Sequence, residues 1–244
     1  NRRLHSSNIS SKGGPPALAA DIEAGRSARS NFFAGGGGKV VEDLVGVSVG
    51  WMMVARVEDL ERWGEDPEGY TVDVSRSSPD ADVRAAGQGL LLALVEAEES
   101  KSLALNLLAT RMRDYDEQRS AAEREARSAS ETERGGIGVG KYVCDLEILK
   151  WDAIYTAAGV ASSSLSGFEF VEWFGNSLGP SLTVIIQGAA SSNSNNSILP
   201  VLRHRIVWLL GCWVSSLDAP SRPQVYAALA SVLSLTDAKS DAAV

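Results

Sequence analysis

The chain has 244 residues, is 44% apolar and carries a formal net charge of −8. That balance disfavours nucleic acid, whose phosphates need Lys and Arg; it either favours basic protein partners, drawn by an attraction that salt weakens, or is the ordinary acidity of many soluble proteins. No apolar run approaches the ~18 residues of a membrane span, and Cys144 and Cys212 are too few for a disulfide scaffold or a zinc site, which points to the cytosol or nucleus.

Residues 1–39 are rich in Ser, Gly, Ala and Arg, with breaks at Gly13-Gly14-Pro15-Pro16 and at Gly35 to Gly38. They hold too little apolar surface to offset ordering entropy, so a disordered loop or insert is expected, with a short helix allowed around Leu18 to Ala28. Order begins near Val40. Val41, Leu44, Val45, Val49, Met52 and Met53 recur at helical spacing. A second helix carries Val57, Leu60 and Trp63 on one face. Glu65-Asp66-Pro67-Glu68 breaks it, because Pro67 disfavours helical geometry at Asp66, and Tyr70 anchors the turn. Ser78-Pro79-Asp80 reads as the next helix start, with Val83, Ala86, Leu90, Leu94 and Ala97 as its buried stripe. A polar turn at Glu98 to Lys101 precedes a helix bearing Leu105, Leu108, Met112 and Tyr115. Beyond Tyr115 the stripe stops while helix formers continue, so a solvated helix end should lead into a mobile loop over residues 128–140.

The last hundred residues hold four apolar helical segments, Cys144 to Leu165, Phe168 to Leu182, Ile198 to Val214 and Pro223 to Leu235, with a second mobile loop near residues 188–197. In the third, Leu199, Leu202, Ile206, Leu209 and Trp213 make a stripe that Val201, Trp208 and Cys212 widen, as in a helix sandwiched between neighbours. In the fourth, Val225, Tyr226, Leu229, Val232 and Leu233 are expected to face inward, with Ser221 as cap. All six tryptophans are expected in the core, a few bordering grooves between helices. Helix pairs repeated every forty-odd residues mark an all-α solenoid over residues 40–244, which offers binding surface rather than chemistry. The first residue is Asn and the last ones resemble the entry to another helix, so a piece of a longer protein is expected.

Motifs for chemistry are sparse. Gly135 to Lys141 matches the start of a phosphate-binding loop, but Tyr142 stands where Ser or Thr should reach magnesium, and a charged helix stands where a buried strand should precede it. A flexible hinge is the better expectation; a nucleotide-binding enzyme is the weaker one. With only His5 and His204, a histidine-based catalytic or metal site is hard to build. No catalytic residue, metal or cofactor is expected. Glu65, Asp66 and Glu68 form either a contact for a charged partner or a solvated turn. Arg203 and Arg205, flanking His204, either meet an acidic partner or bond to carboxylates and carbonyls of adjacent repeats.

Five stretches resemble the importin-β (karyopherin-β) superfamily, most closely its importin eleven-like branch and fungal relatives. They are Leu60 to Tyr70 (L-E-R-W-G-E-D-P-E-G-Y), Lys150 to Gly159 (K-W-D-A-I-Y-T-A-A-G), Phe170 to Phe174 with Leu178 to Leu182, Leu202 to Trp213 (L-R-H-R-I-V-W-L-L-G-C-W), and Arg222 to Tyr226. The resemblance covers about residues 40–244 and implies HEAT repeats from the middle of a nuclear transport receptor. Such receptors bind protein cargo and Phe-Gly nucleoporins under control of Ran GTPase and shuttle between cytoplasm and nucleus. The family's main Ran contacts lie in N-terminal repeats outside the resemblance, so no Ran-binding residue is assigned. A HEAT-repeat scaffold of a complex unrelated to transport is the alternative.

Overall fold

The computed structural model describes residues 16–132, 145–165, 167–190 and 198–234, and every regular element among them is helical. In chain order these are α1 (Pro16–Phe32), α2 (Gly38–Val47), α3 (Val57–Glu65), α4 (Pro67–Arg76), α5 (Val83–Glu96), α6 (Glu98–Thr132), α7 (Asp145–Val160), α8 (Phe170–Trp173), α9 (Gly179–Ala190), α10 (Ile198–Cys212) and α11 (Arg222–Leu233). Three single π turns interrupt them. Phe33–Gly37 joins α1 to α2, Ser48–Met52 extends α2, and Phe174–Leu178 joins α8 to α9.

The helices stack in two rows. In the front row α2 packs on α6, α6 is bonded to α8, and α9 packs on α11; in the back row α5 packs on α7 and α7 on α10. Between rows, α5 meets α2 and α6, α6 meets α7, and α9 meets α10. Each helix thus covers the apolar side of the next one along, and one continuous core runs from Val41 to Val232. This is the nearest-neighbour burial that the repeated apolar stripes call for.

Several stripes sit where periodicity puts them. Val41, Val45, Val49 and Met53 are buried, as are Leu202, Ile206, Leu209 and Trp213. Others differ. α5 starts at Val83, three residues after Asp80, because Asp82 caps it by accepting from the Arg84 backbone N–H at 2.8 Å; Ser78 to Ala81 form a turn before it. Its buried face is Arg84, Gly87, Leu91, Leu94 and Val95, so the expected stripe through Val83, Ala86, Leu90 and Ala97 is rotated by about one residue. The cause is Arg84, whose guanidinium has buried partners and turns the helix toward them. Asp66 and Pro67 do break α3, but they also start α4: Asp66 accepts from the Gly69 N–H at 2.9 Å and Pro67 fills the first turn. Tyr70 is therefore a helical residue. In α11, Val225 and Val232 are buried, whereas Tyr226 is 61% and Leu233 75% exposed. That correction follows from geometry, since among the described helices α11 packs chiefly on α9, which covers one side of it. Ser221 makes no side-chain cap; its backbone N–H donates instead to Asp218 at 2.9 Å.

α6 continues through Thr132, and α9 through Ala190, past the starts of the two expected loops. The remainder of those loops, including Gly135 to Lys141, and His5 and Cys144 lie outside the described residues. The helix allowed around Leu18 to Ala28 runs from Pro16 to Phe32, and its residues from Ala20 on are exposed.

One polar joint holds the front row together. The Asp116 carboxylate on α6 accepts from Trp173 Nε1 at 2.6 Å and from the Ser177 hydroxyl. Trp173 and Ser177 are four apart, and the π turn between α8 and α9 lets both reach one carboxylate. Asp116→Ala strands both donors in a part-buried site. We expect a loss of about 1–3 kcal/mol, read in a urea titration, with Asp116→Leu no better.

Candidate functional site

The most organised side-chain constellation lies at the back row, where α3, α4, α5, α7 and α10 converge. Asp152 sits midway along α7 in an otherwise apolar stretch and is fully buried. One carboxylate oxygen accepts from Arg84 Nη2 at 2.6 Å and the other from Arg205 Nε at 2.8 Å. Arg84 also donates through Nη1 to the Tyr70 hydroxyl at 2.7 Å and through Nε to the Met53 carbonyl at 3.1 Å. Asp59 of α3 stands 3.9 Å from Arg84 Nη1, while its other role is to accept from the Arg56 backbone N–H at the start of α3.

The electrostatics follow from this geometry. Burial pushes the Asp152 carboxyl up, but Arg205 and Arg84 together outweigh it and hold it below the ordinary carboxylate value. Burial opposes the charge on Arg84, and Asp152 and Tyr70 more than restore it. Burial raises the Tyr70 phenol to about 12, against the lowering effect of Arg84. All three groups therefore keep their usual protonation states at neutral pH. A fixed charge network of this kind positions helices; it does not move protons.

A small aromatic cluster covers the network. Trp63 and Tyr70 meet edge to face at 5.7 Å, His204 lies 5.2 Å from Trp63, and Val201 closes the cluster. The Arg205 guanidinium lies over the Trp208 ring at 4.9 Å. This is how the α3–α4 hairpin is seated on α10.

The residues singled out from the sequence fall into two groups. Arg203 and Arg205 both point into the protein: Arg203 is 2% exposed, and Arg205 bonds Asp152 on the adjacent helix. Glu65 and Glu68 are exposed near the α3–α4 junction, while the Asp66 carboxylate is used as the cap of α4. The network thus brings Arg205 together with Arg84, Asp152 and Tyr70, which periodicity overlooked. A charged residue inside an apolar run was the available signal for Asp152. Trp63, Trp173 and Trp213 are core residues and Trp151 and Trp208 half-buried, but Trp51 is 65% exposed, contrary to its expected place in the core. It projects from the π turn at the end of α2, off the face that carries the buried Val45, Val49 and Met53.

Among the described residues, no group of three His, Cys, Asp or Glu side chains could hold a metal, and no helix is long and apolar enough to cross a membrane. Cys212 is a free, half-buried thiol whose pKa burial raises.

Two curated proteins resemble the chain. Importin-11 of Homo sapiens is 29% identical over 179 residues, which is 72% of this chain and 15% of that protein. Importin-11 of Mus musculus is 28% identical over the same length. The chain therefore spans less than a sixth of the relatives it matches, and this low identity points to an importin-like relation. No family model matches the chain, and no solved structure does.

Proposed function

We propose that this chain is a HEAT-repeat segment of an importin-β-type nuclear transport receptor, most similar to the importin eleven branch. In this reading it binds protein cargo and Phe-Gly nucleoporins, it shuttles between cytoplasm and nucleus, and Ran-GTP governs release from repeats elsewhere in the receptor. One observation carries the proposal. Three separate stretches that resemble the family meet at one place: Trp63 and Tyr70 from the first, Asp152 from the second, and His204 and Arg205 from the fourth. Residues far apart in sequence that share one buried joint are the part of a helical stack least free to vary, because each change strands the others. A stack inherited from an importin-like receptor would keep such a joint together.

The chemistry agrees with a transport role. The joint is a rigid pin between helices of the back row, and the net charge of −8 suits basic cargo. Release by Ran-GTP would be reciprocal: whatever factor Ran-GTP takes from cargo affinity, cargo takes from Ran-GTP affinity. The test uses the full-length receptor containing this segment. It should bind immobilised Phe-Gly repeats, and Ran-GTP, but not Ran-GDP, should elute its cargo. Failure of both interactions overturns the proposal and leaves the scaffold reading.

A further inference from the structure

We infer that α1 is a hinged strap that closes over an exposed apolar stripe on α2. The stripe is Val40, Val47 and Trp51, spaced by seven and four residues and 40%, 47% and 65% exposed. Positions so spaced share one helix face, and this face flanks the side that α2 buries against α5 and α6. Exposed apolar area of this kind ordinarily marks a surface that something covers.

The chain carries a cover. α1 is a seventeen-residue helix joined to α2 through Gly35 to Gly38. Gly36 sits at φ +119°, a conformation closed to other residues, and breaks the helical path there. A side chain at Gly35 or Gly36 would touch nothing, whereas one at Gly37 would crowd Phe32 and one at Gly38 would touch Leu103, so the free part of the hinge is Gly35-Gly36. α1 has its own unburied apolar residues, Ile22 and Phe32, each about half exposed. Arg29 shares their face and tethers α1 to the body through a 2.7 Å ion pair with Glu99 at the start of α6. That pair is itself half open to water on the Arg29 side, where such pairs hold weakly.

The register fits closure. Four-residue turns between antiparallel helices are ordinary. Folding at Gly35 to Gly38 sets Ile22, thirteen residues before the hinge, opposite Trp51, thirteen after it. Phe32 then falls beside Val40, three and two residues from the same hinge. α1 and the stretch Gly38–Met52 have nearly equal lengths, about 25 and 22 Å at 1.5 Å per residue. Closure therefore buries both stripes at once, and opening offers the α2 face to a partner. The inference does not depend on the transport reading.

Cross-linking tests it on the full chain carrying Cys144→Ser and Cys212→Ser. With Ile22→Cys and Trp51→Cys added, mild oxidation should give an intramolecular disulfide in the monomer, severalfold faster when Glu99→Gln releases the tether. Asp21→Cys paired with Trp51→Cys, rotated about 100° around α1, should lag well behind. No cross-link, equal rates for the two pairs, or a product formed only between two copies would overturn the strap. Should the cysteine variants misfold, acrylamide quenching of the otherwise unaltered protein decides. Trp51 is its most exposed tryptophan, so Glu99→Gln should lower quenching and Ile22→Asp should restore it. Quenching indifferent to both substitutions overturns the strap as well.

Discussion

Asp152→Ala should lower the midpoint of thermal unfolding by about 6–20 °C. The substitution leaves Arg84 and Arg205 buried with their shared counter-charge gone. Breaking a buried pair from one side costs about 3–5 kcal/mol, and each kcal/mol shifts the midpoint by about 2–4 °C in a chain of this size. Replacing the whole joint is a different perturbation. In Arg84→Met, Asp152→Leu, Arg205→Met and Tyr70→Phe combined, no charge or hydroxyl of the joint is left stranded, although the Met53 carbonyl and the partly exposed Asp59 lose Arg84, so most of the loss should be recovered. If the combined variant is as weak as Asp152→Ala, the cost is one of shape and the electrostatic account is wrong.

The same carboxylate sets an acid limit. Its folded value lies below the ordinary one, so in mild acid the unfolded chain binds a proton that the folded chain refuses. The stabilisation is complete above the ordinary carboxylate range and is lost as pH falls through the lowered folded value. Wild type should therefore lose more stability between pH 5 and 2 (roughly the window in which a paired Asp titrates) than the variant with the joint replaced. Parallel urea titrations across that range would show it.

Gly159→Ala is the second large effect. α7 and α10 make the closest helix pair of the back row, and a methyl group at Gly159 would overlap Cζ3 and Cη2 of Trp208, with Cys212 Sγ at 3.3 Å. Trp208 cannot swing away freely, because Arg205 lies on its face while bonded to Asp152. Overpacking of this kind costs about 1–3 kcal/mol. Trimming the ring should give the space back: Gly159→Ala with Trp208→Leu should be more stable than the sum of the two single changes predicts, by about 1 kcal/mol or more. Additive effects in that cycle would mean the two residues do not meet.

These residues show where sequence reading succeeds and stops. The stripe Leu202, Ile206, Leu209 and Trp213 was legible because each member answers to a single period, and a helix whose apolar residues line up has one way to bury them. Tyr226 and Leu233 carry the same pattern in α11 and are exposed. Periodicity gives the apolar side of a helix but not whether a neighbour stands there. Residue type alone places Trp51 in the core; it stands off the period shared by Val41, Val45, Val49 and Met53, and it is exposed. Arg84 shifts the expected stripe of α5 because local spacing records no partner for it, and its partners lie 31 and 68 residues away.

The sequence by itself determined that the described elements are helical, which of them carry an apolar stripe, and that neighbours must cover those stripes. Those properties depend on side chains a few residues apart, which local spacing records. Only the tertiary structure decided that Asp152 binds two arginines, that Arg205 turns inward, and that one face of α2 stays open beside a glycine hinge. Each of those depends on which distant helix arrives at a given side chain, and a buried charge is tolerable only once that helix is in place.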